Sequence, residues 1–179
     1  MLEDLVVVVD KFGNPIGTED KLDAHRMGFR HLAFSVMIYR YNDGQLEFLM
    51  QKRAANKYHS GGLWSNTCCS HPRPDEKILA ASKRRLDEEL GIRDSLVLED
   101  IGTISYRTKF DNGLTENELD HVVIAESNTV ELDVNDKEAE ACEWQSKQAI
   151  AEHLAETPQA YTAWFKLVFD KVNQHLAEK

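Results

Sequence analysis

The chain has 179 residues, with 31 acidic and 21 basic side chains and a formal net charge of -10. Its length suits one domain of ordinary size, and 42% apolar with 29% charged residues is typical of a globular protein. The negative charge argues against nonspecific binding to nucleic acid, which requires a basic surface, but permits a small phosphorylated ligand held by a few local cations.

Membrane segments and disulfides are not expected. The first apolar run, residues 5–9, is far shorter than a membrane span and lacks the pattern of a secretory signal. The three cysteines, Cys68, Cys69 and Cys142, are odd in number and include an adjacent pair, which does not suit a disulfide framework. We therefore expect a cytoplasmic protein without membrane attachment.

The elements predicted along the chain are a mixture of strands and helices without regular alternation. Asp43 and Gly44 predict a hairpin turn, Gly91 the end of a helix, and Pro158 a break between two helices. This order predicts an α+β protein, a mixed sheet flanked by helices in a single domain over 1–179. The predicted strands are 5–9, 31–39, 46–52, 96–106 and 119–125, and the predicted helices are 76–90, 147–155 and 160–176.

The most informative segment runs from Ser70 to the end of the central helix. Five residues separate Ser70 from Glu76, and seven separate Glu76 from Arg84. Further positions follow at fixed spacing: Leu86, Glu88, Glu89, Gly91 and Ile92. This spacing resembles the Nudix signature of diphosphate-cleaving enzymes, whereas a run of charges alone is more often a solvated helix face.

Two positions depart from that signature. Ser70 stands where the signature has glycine, and Arg85 stands where it has a glutamate. A cation therefore replaces one carboxylate that would hold Mg²⁺ for hydrolysis, which favours a protein that binds a diphosphate without cutting it. Because Glu88 and Glu89 are adjacent on a helix, only one of them can face the core.

The sequence Cys69-Ser70-His71-Pro72 precedes that helix. A cysteine beside a helix start and near cations can have a lowered thiol pKa and act as base or nucleophile. The alternative is an ordinary buried cysteine, which is the more common role of a free thiol. That alternative suits Cys68, because alternation along an extended segment turns it to the opposite side.

Glu116-Asn117-Glu118 places two carboxylates on one face of an extended segment. Together with imidazoles elsewhere they would suit a first-row divalent ion such as Mn²⁺, Zn²⁺ or Fe²⁺. The imidazoles are His25, His31 and His71, whereas the remaining histidines, His59, His121, His153 and His175, are interpreted as surface or core residues. Four cations near these motifs could clamp a diphosphate: Lys21, Arg53, Lys57 and Arg85.

These motifs together resemble those of the type I isopentenyl-diphosphate Δ-isomerases, which share the Nudix fold. The likeness covers residues 17–165, and the order of the Ser-Asn-x-x-Cys-x-His-Pro and Glu-Asn-Glu motifs is specific to that family. The matching segments are 17–25, 31–35, 52–72, 83–91, 105–119 and 157–165.

The resemblance implies roles for individual residues. Catalytic positions fall on Cys69 and Glu118, assisted by Tyr106, and Trp164 would present its ring to a carbocation. It implies a Mn²⁺ or Zn²⁺ site of His25, His31, His71, Glu116 and Glu118. A separate Mg²⁺ would be held by Glu89 and the backbone carbonyl of Cys69, and the substrate-binding positions are Lys21, Arg53, Lys57, Arg85 and Trp164.

The implied reaction converts isopentenyl diphosphate into dimethylallyl diphosphate for isoprenoid biosynthesis, with Mg²⁺ and one further divalent metal and without flavin. Beyond this small-molecule diphosphate substrate, we expect no nucleic-acid or membrane partner, and a monomer or weak homodimer. A Nudix hydrolase of a nucleoside diphosphate derivative is the alternative, and a catalytically silent binding module is a third. Arg85 and the cysteine motif argue against the hydrolase, and the presence of both Cys69 and Glu118 argues against the silent module.

Overall fold

The computed structural model describes residues 1–179, apart from the side chain of Glu3. The described chain folds into one mixed sheet with helices on both sides. The strands are β1 Leu5–Val9, β2 Pro15–Asp20, β3 His31–Asn42, β4 Gln45–Arg53, β5 Trp64–Ser65, β6 Cys68–Ser70, β7 Glu99–Lys109, β8 Thr115–Glu126 and β9 Ala139–Ser146. The helices are α1 Lys21–Met27, α2 Ile78–Leu90, α3 Lys147–Glu156 and α4 Phe165–Ala177.

Strand β3 is the centre of the sheet. It pairs in parallel with β8, where His31 lies opposite Glu118, and antiparallel with β4 and β6. On the far side of β8, β7 pairs antiparallel and places Tyr106 opposite Glu118. Residues distant in sequence, in β3, β6, β7 and β8, therefore become neighbours on adjacent strands.

Alternation along these strands divides the apolar core into two layers. One face of the sheet packs against α3 and α4, with Met37 and Ile124 meeting Phe165. The other face packs against α2, where Phe34 and Val123 meet helix residues such as Leu86. Helix α2 covers the second face with its apolar side, so its polar side is available to the site described below.

The predicted α+β class and mixed sheet flanked by helices are confirmed. Helix α2 ends as predicted at Gly91, whose φ of 65° is the left-handed conformation that glycine adopts most easily. It begins two residues later than predicted, because the Glu76 carboxylate instead accepts a hydrogen bond from the Arg73 amide at 2.9 Å. The predicted break at Pro158 is also confirmed, as a short 3₁₀ turn over Pro158–Ala160 separates α3 from α4.

The sequence prediction missed β2, α1 and β9, and also the short strands β5 and β6. Strand β2 is mostly exposed and β9 only partly buried, so neither carries a strong alternation of apolar residues. Strand β8 begins at Thr115, four residues earlier than predicted, so Glu116 and Glu118 lie inside a strand. None of the helices over the described residues is long and apolar enough to cross a bilayer.

Candidate active site and metal centre

The candidate site occupies the end of the sheet where one face changes from apolar to polar. Along β3 this face carries His31 and Ser35 before the apolar Met37, and along β8 it carries Glu118 and Asp120 before Val122. All four polar residues are buried. Buried polar groups are costly unless they have partners, so their concentration at one place marks a functional site rather than a stability feature.

The structure brings the five predicted metal ligands together. The donor atoms form two overlapping groups that share His25, and within each group all donors lie within 4.8 Å of one another. His71 Nε2 lies 3.2 Å and His31 Nε2 3.4 Å from the same Glu118 oxygen. The two groups are His25, His31, His71 and Glu118, and His25, His59 and Glu116.

The donor set fits a divalent metal. The Nε2 atoms of His25 and His31 are buried and find no hydrogen-bond partner among the side chains that the structure describes. Their Nδ1 atoms lie 2.6 Å from the Lys21 carbonyl and 2.8 Å from the Phe29 carbonyl, which fixes Nε2 as the free lone pair. Desolvation lowers the pKa of His31 to about 4, so its imidazole is held in the neutral form that binds metals.

Glu118 and Glu116 differ in ionisation. Desolvation and the neighbouring charge of Glu116 raise the pKa of Glu118 well above its usual range. Desolvation acts in the same direction on Glu116, but the close approach of the Glu118 carboxyl and of the His25 and His59 rings outweighs it and holds the pKa of Glu116 well below the usual range. Tyr106 donates a hydrogen bond to Glu118 Oε2 at 2.8 Å. Glu118 is therefore the protonated carboxyl of the pair in the metal-free protein.

The Cys69 thiol lies on the same face, and its neighbour Cys68 points into the opposite core layer as predicted. The Cys69 Sγ donates a hydrogen bond to the Asn66 side-chain oxygen at 3.0 Å and accepts one from Trp164 Nε1 at 3.0 Å. The prediction of a lowered thiol pKa is wrong. Desolvation, with the nearby Asp120 charge, raises the pKa of Cys69 to about 11.

Trp164 closes this part of the site. Its indole stacks near Tyr106, with centroids 6.1 Å apart, and the Arg53 guanidinium lies 5.4 Å from the indole centroid. Cys69, Glu118, Tyr106 and Trp164 line one cavity of about 20 Å³. That volume holds roughly one water molecule, so a larger ligand requires lining side chains to move outward.

A second, larger cavity of about 200 Å³ adjoins the first and shares Arg53, Tyr58, Cys69, Ser70 and His71 with it. It contains all four cations predicted to clamp a diphosphate. Two further cations, Arg73 and Arg84, and two further carboxylates, Asp4 and Glu138, were not expected in this cavity. Its charged lining residues are Lys21, Arg53, Lys57, Arg73, Arg84, Arg85, Asp4, Glu88, Glu89 and Glu138.

Arg85 sits among the carboxylates of this cavity. It donates to Glu88 and Glu89 at 2.6 Å each, and it lies 3.3 Å from Glu138. Glu89 is buried and Glu88 exposed, as the helix geometry predicted. Gln51 donates to the second oxygen of Glu89 at 3.0 Å and fixes that carboxylate from beneath. A guanidinium therefore lies where the carboxylates converge.

Besides Asp4, Arg73 and Arg84 of the larger cavity, three residues closer to the metal centre and the cations were missed from sequence. His59 is buried beside Glu116, although it was interpreted as an ordinary surface or core residue. Asp120 continues the alternation of Glu116 and Glu118 by one more step along β8, and that period was the signal available for it. Glu138 precedes β9 and bonds to Lys57 at 2.6 Å, but no motif in the sequence marks it.

The NUDIX domain family model matches residues 29–165. The overall shape resembles solved structures, including a protein of Deinococcus radiodurans (TM-score 0.70, 15% identity, 92% of this chain and 96% of that one). A Nudix hydrolase of M. smegmatis also matches (TM-score 0.64, 16% identity, 96% and 94% coverage). At these identities the structures support the fold alone. The chain is a member of the Nudix family.

Similarity to curated protein sequences places the chain in one group within the Nudix family. An isopentenyl-diphosphate Δ-isomerase of Photobacterium profundum is 46% identical over 100% of this chain and 99% of its own. One from Aliivibrio fischeri is 44% identical over 98% of both chains, and one from Pectobacterium atrosepticum 44% over 93% and 90%. Within the Nudix family, the chain therefore belongs to the isopentenyl-diphosphate Δ-isomerases.

Proposed function

We propose that this chain converts isopentenyl diphosphate into dimethylallyl diphosphate by adding a proton at C4 and removing one from C2. The observation that carries the proposal is the shared cavity of Cys69 and Glu118, directly beside a cavity lined by cations. A thiol and a carboxyl on different strands can address two sides of one hydrocarbon unit while the charged end is held next to them.

Glu118 is assigned as the proton donor. In the metal-free protein its raised pKa keeps the carboxyl protonated, and the Tyr106 hydroxyl holds the carboxyl in place at 2.8 Å. Protonation at C4 gives a tertiary cation at C3. The predicted Mn²⁺ or Zn²⁺ ion would be held by His25, His31, His71, Glu116 and Glu118, and when bound it would polarise Glu118 and fix its position.

Cys69 is assigned as the base that removes the C2 proton. Because its thiol is protonated in the empty site, Cys69 must first release that proton to solvent, and the resulting thiolate then accepts the C2 proton. The Trp164 N–H and the Ser65 hydroxyl, 3.0 and 3.5 Å from the sulfur, are placed to stabilise the anion. Loss of the C2 proton collapses the cation to the more substituted alkene.

The larger cavity is assigned to the diphosphate. Lys21, Arg53, Lys57 and Arg85 would neutralise its charge, and Glu89 with the Cys69 carbonyl would hold the associated Mg²⁺. Arg53 lines both cavities, so its movement toward a diphosphate would uncover the Trp164 ring and enlarge the small cavity. The uncovered indole would then face the cation.

Hydrolysis of a nucleoside diphosphate derivative is the competing activity, and the position of Arg85 argues against it. A guanidinium among Glu88, Glu89 and Glu138 neutralises part of their charge and opposes the binding of further cations there beyond the single Mg²⁺ assigned to Glu89. Suppressing hydrolysis also benefits an isomerase, because cleavage would destroy its allylic diphosphate product.

The test is an assay with isopentenyl diphosphate and Mg²⁺, without flavin, in which acid-labile allylic product and released phosphate are measured together. We expect allylic product and no phosphate release. Phosphate release without allylic product would support the hydrolase, and ligand binding without either product would support a silent module.

A further inference from the structure

His59 is the unexplained residue of the metal centre. Its side chain is 5% exposed, and its Nε2 lies 3.4 Å from Glu116 Oε1. That nitrogen is buried without a well-formed hydrogen bond to any group in the described part of the chain. A buried, unpaired imidazole nitrogen directed toward a carboxylate and other histidines has the geometry of a metal ligand.

The opposite nitrogen of His59 is held as those of the predicted ligands are. Its Nδ1 lies 3.0 Å from the Ser60 hydroxyl, which can accept a proton from Nδ1 as the backbone carbonyls do at His25 and His31, although a hydroxyl can also donate. With a proton on Nδ1, the Nε2 lone pair is free for an ion. Three imidazoles in this centre therefore present the same nitrogen inward.

The ring of His59 is also fixed in orientation. It stacks on Phe110 with centroids 4.6 Å apart and planes 12° apart, and Tyr58 packs against its edge at 4.3 Å. The Asn112 side chain donates to the Tyr58 carbonyl at 3.1 Å, which ties the loop after β4 to the β7–β8 turn. A ligand held by packing loses little conformational entropy on binding an ion.

The spacing of the donors suits an ion within each group. With metal–ligand distances of roughly 2.1–2.2 Å, adjacent donors of an octahedron lie about 3.1 Å apart and opposite donors about 4.3 Å apart. Pairs inside the groups fall in this range, at 3.4 Å for His59 with Glu116, 3.9 Å for His25 with Glu116, and 3.2 Å for His71 with Glu118. The six donors do not all lie within 4.8 Å of one another, so a single ion would have to draw the two groups together.

We propose that His59 is a sixth protein ligand, so that four imidazoles and two carboxylates close the coordination sphere of a single ion. This inference depends on the metal centre of the proposed function, but not on the isomerase reaction. Six protein ligands favour an ion that accepts octahedral coordination, such as Mn²⁺ or Fe²⁺, over the four-coordinate geometry usual for Zn²⁺. They leave no position for substrate, so the ion would act through Glu118.

The test uses the full chain stripped of metal and reloaded with Mn²⁺. Pulsed electron paramagnetic resonance counts the coordinated nitrogens, and water-proton relaxation reports exchangeable water on the ion. We expect four nitrogens and no exchangeable water in the wild type, and three nitrogens with one water in His59→Ala. The affinity for Mn²⁺ should fall about 10- to 100-fold. His121→Ala, at a histidine bonded to Asp100 outside the centre, is the matched control.

Equal nitrogen counts and equal water relaxation in wild type and His59→Ala would overturn the inference, as would a second Mn²⁺ ion per chain that is lost in His59→Ala. His59→Gln provides the same comparison if the alanine variant does not fold. A wild-type chain that binds no Mn²⁺ would refute the metal centre itself. Isomerase activity measured on the same samples separates that outcome from failure of the proposed reaction.

Discussion

The indole nitrogen of Trp164 donates a hydrogen bond to the sulfur of Cys69 at 3.0 Å. Sequence analysis assigned Trp164 the role of presenting its ring face to a cation, yet in this structure that face is next to the Arg53 guanidinium. The edge of the ring, rather than its face, is thus in contact with the candidate base. This contact links α4 to the chemistry of β6.

Replacing Trp164 by Phe separates these two roles. Trp164→Phe keeps an aromatic face but removes the N–H donor, and a hydrogen bond to a charged group contributes about 1.5–3 kcal/mol. We expect kcat to fall roughly 10- to 100-fold, and the pH profile of Cys69 alkylation by iodoacetamide to move to higher pH. Unchanged kcat and an unchanged profile would leave only the ring face as functional.

Cys69→Ala should remove isomerisation while substrate binding and fold are retained. General acid–base groups contribute about 10²- to 10⁴-fold in rate, and we expect a loss of at least that size in kcat. Cys68→Ala is the matched control, because Cys68 is completely buried in the opposite core layer. It should lower the free energy of unfolding without removing turnover. Full activity in Cys69→Ala would exclude Cys69 as the base.

Glu118→Gln should reduce turnover and metal affinity together. The amide cannot supply the proton and is a poorer metal ligand than the carboxylate, so we expect kcat to fall at least about 100-fold and Mn²⁺ affinity about 10-fold or more. Glu126→Gln, at the exposed end of the same strand, is the control and should change neither quantity. A Glu118→Gln variant with normal metal content and normal turnover would contradict both assignments.

The stability of the metal-free protein should depend on His31 at acidic pH. Desolvation lowers its folded-state pKa from 6.5 to about 4, so the unfolded chain binds the proton first. The free energy of unfolding should therefore decrease as pH falls from 6.5 toward 4, by up to about 3 kcal/mol, because His31 stays neutral in the folded protein while it is protonated in the unfolded chain. The contribution of Asp120 to the pH dependence of stability has the opposite sign. Burial raises the pKa of Asp120 to about 8, so the folded protein binds this proton before the unfolded chain does.

The measurement is therefore a difference between two proteins. Urea unfolding of wild type and His31→Gln in a metal chelator, from pH 4 to pH 7, cancels the contribution of Asp120. Wild type should lose more stability than the variant as pH falls. Parallel curves would show that His31 ionises as readily in the folded state as in the unfolded chain.

The sequence predicted the parts of this protein that depend on local spacing and periodicity. Helix α2 and its end at Gly91 follow from an apolar stripe and one glycine, and the pairing of Glu116 with Glu118 follows from the two-residue period of a strand. The role of His59 depends on the contact of two loops distant in sequence, which no local pattern encodes. The raised pKa of Cys69 likewise depends on burial, which is a property of the packed sheet.

Arg85→Lys should weaken diphosphate binding although the charge is conserved. Arg85 reaches Glu88 through one terminal nitrogen and both Glu89 and Glu138 through the other, and an ammonium group cannot reproduce that planar geometry. We expect the affinity for inorganic pyrophosphate with Mg²⁺, measured by calorimetry, to fall about 10-fold, or about 1.4 kcal/mol. Lys83→Ala, at an exposed position of the same helix, should leave it unchanged. Equal affinities for wild type and Arg85→Lys would mean that Arg85 contacts only the three carboxylates. If the guanidinium contacted the diphosphate, its removal would lower the affinity.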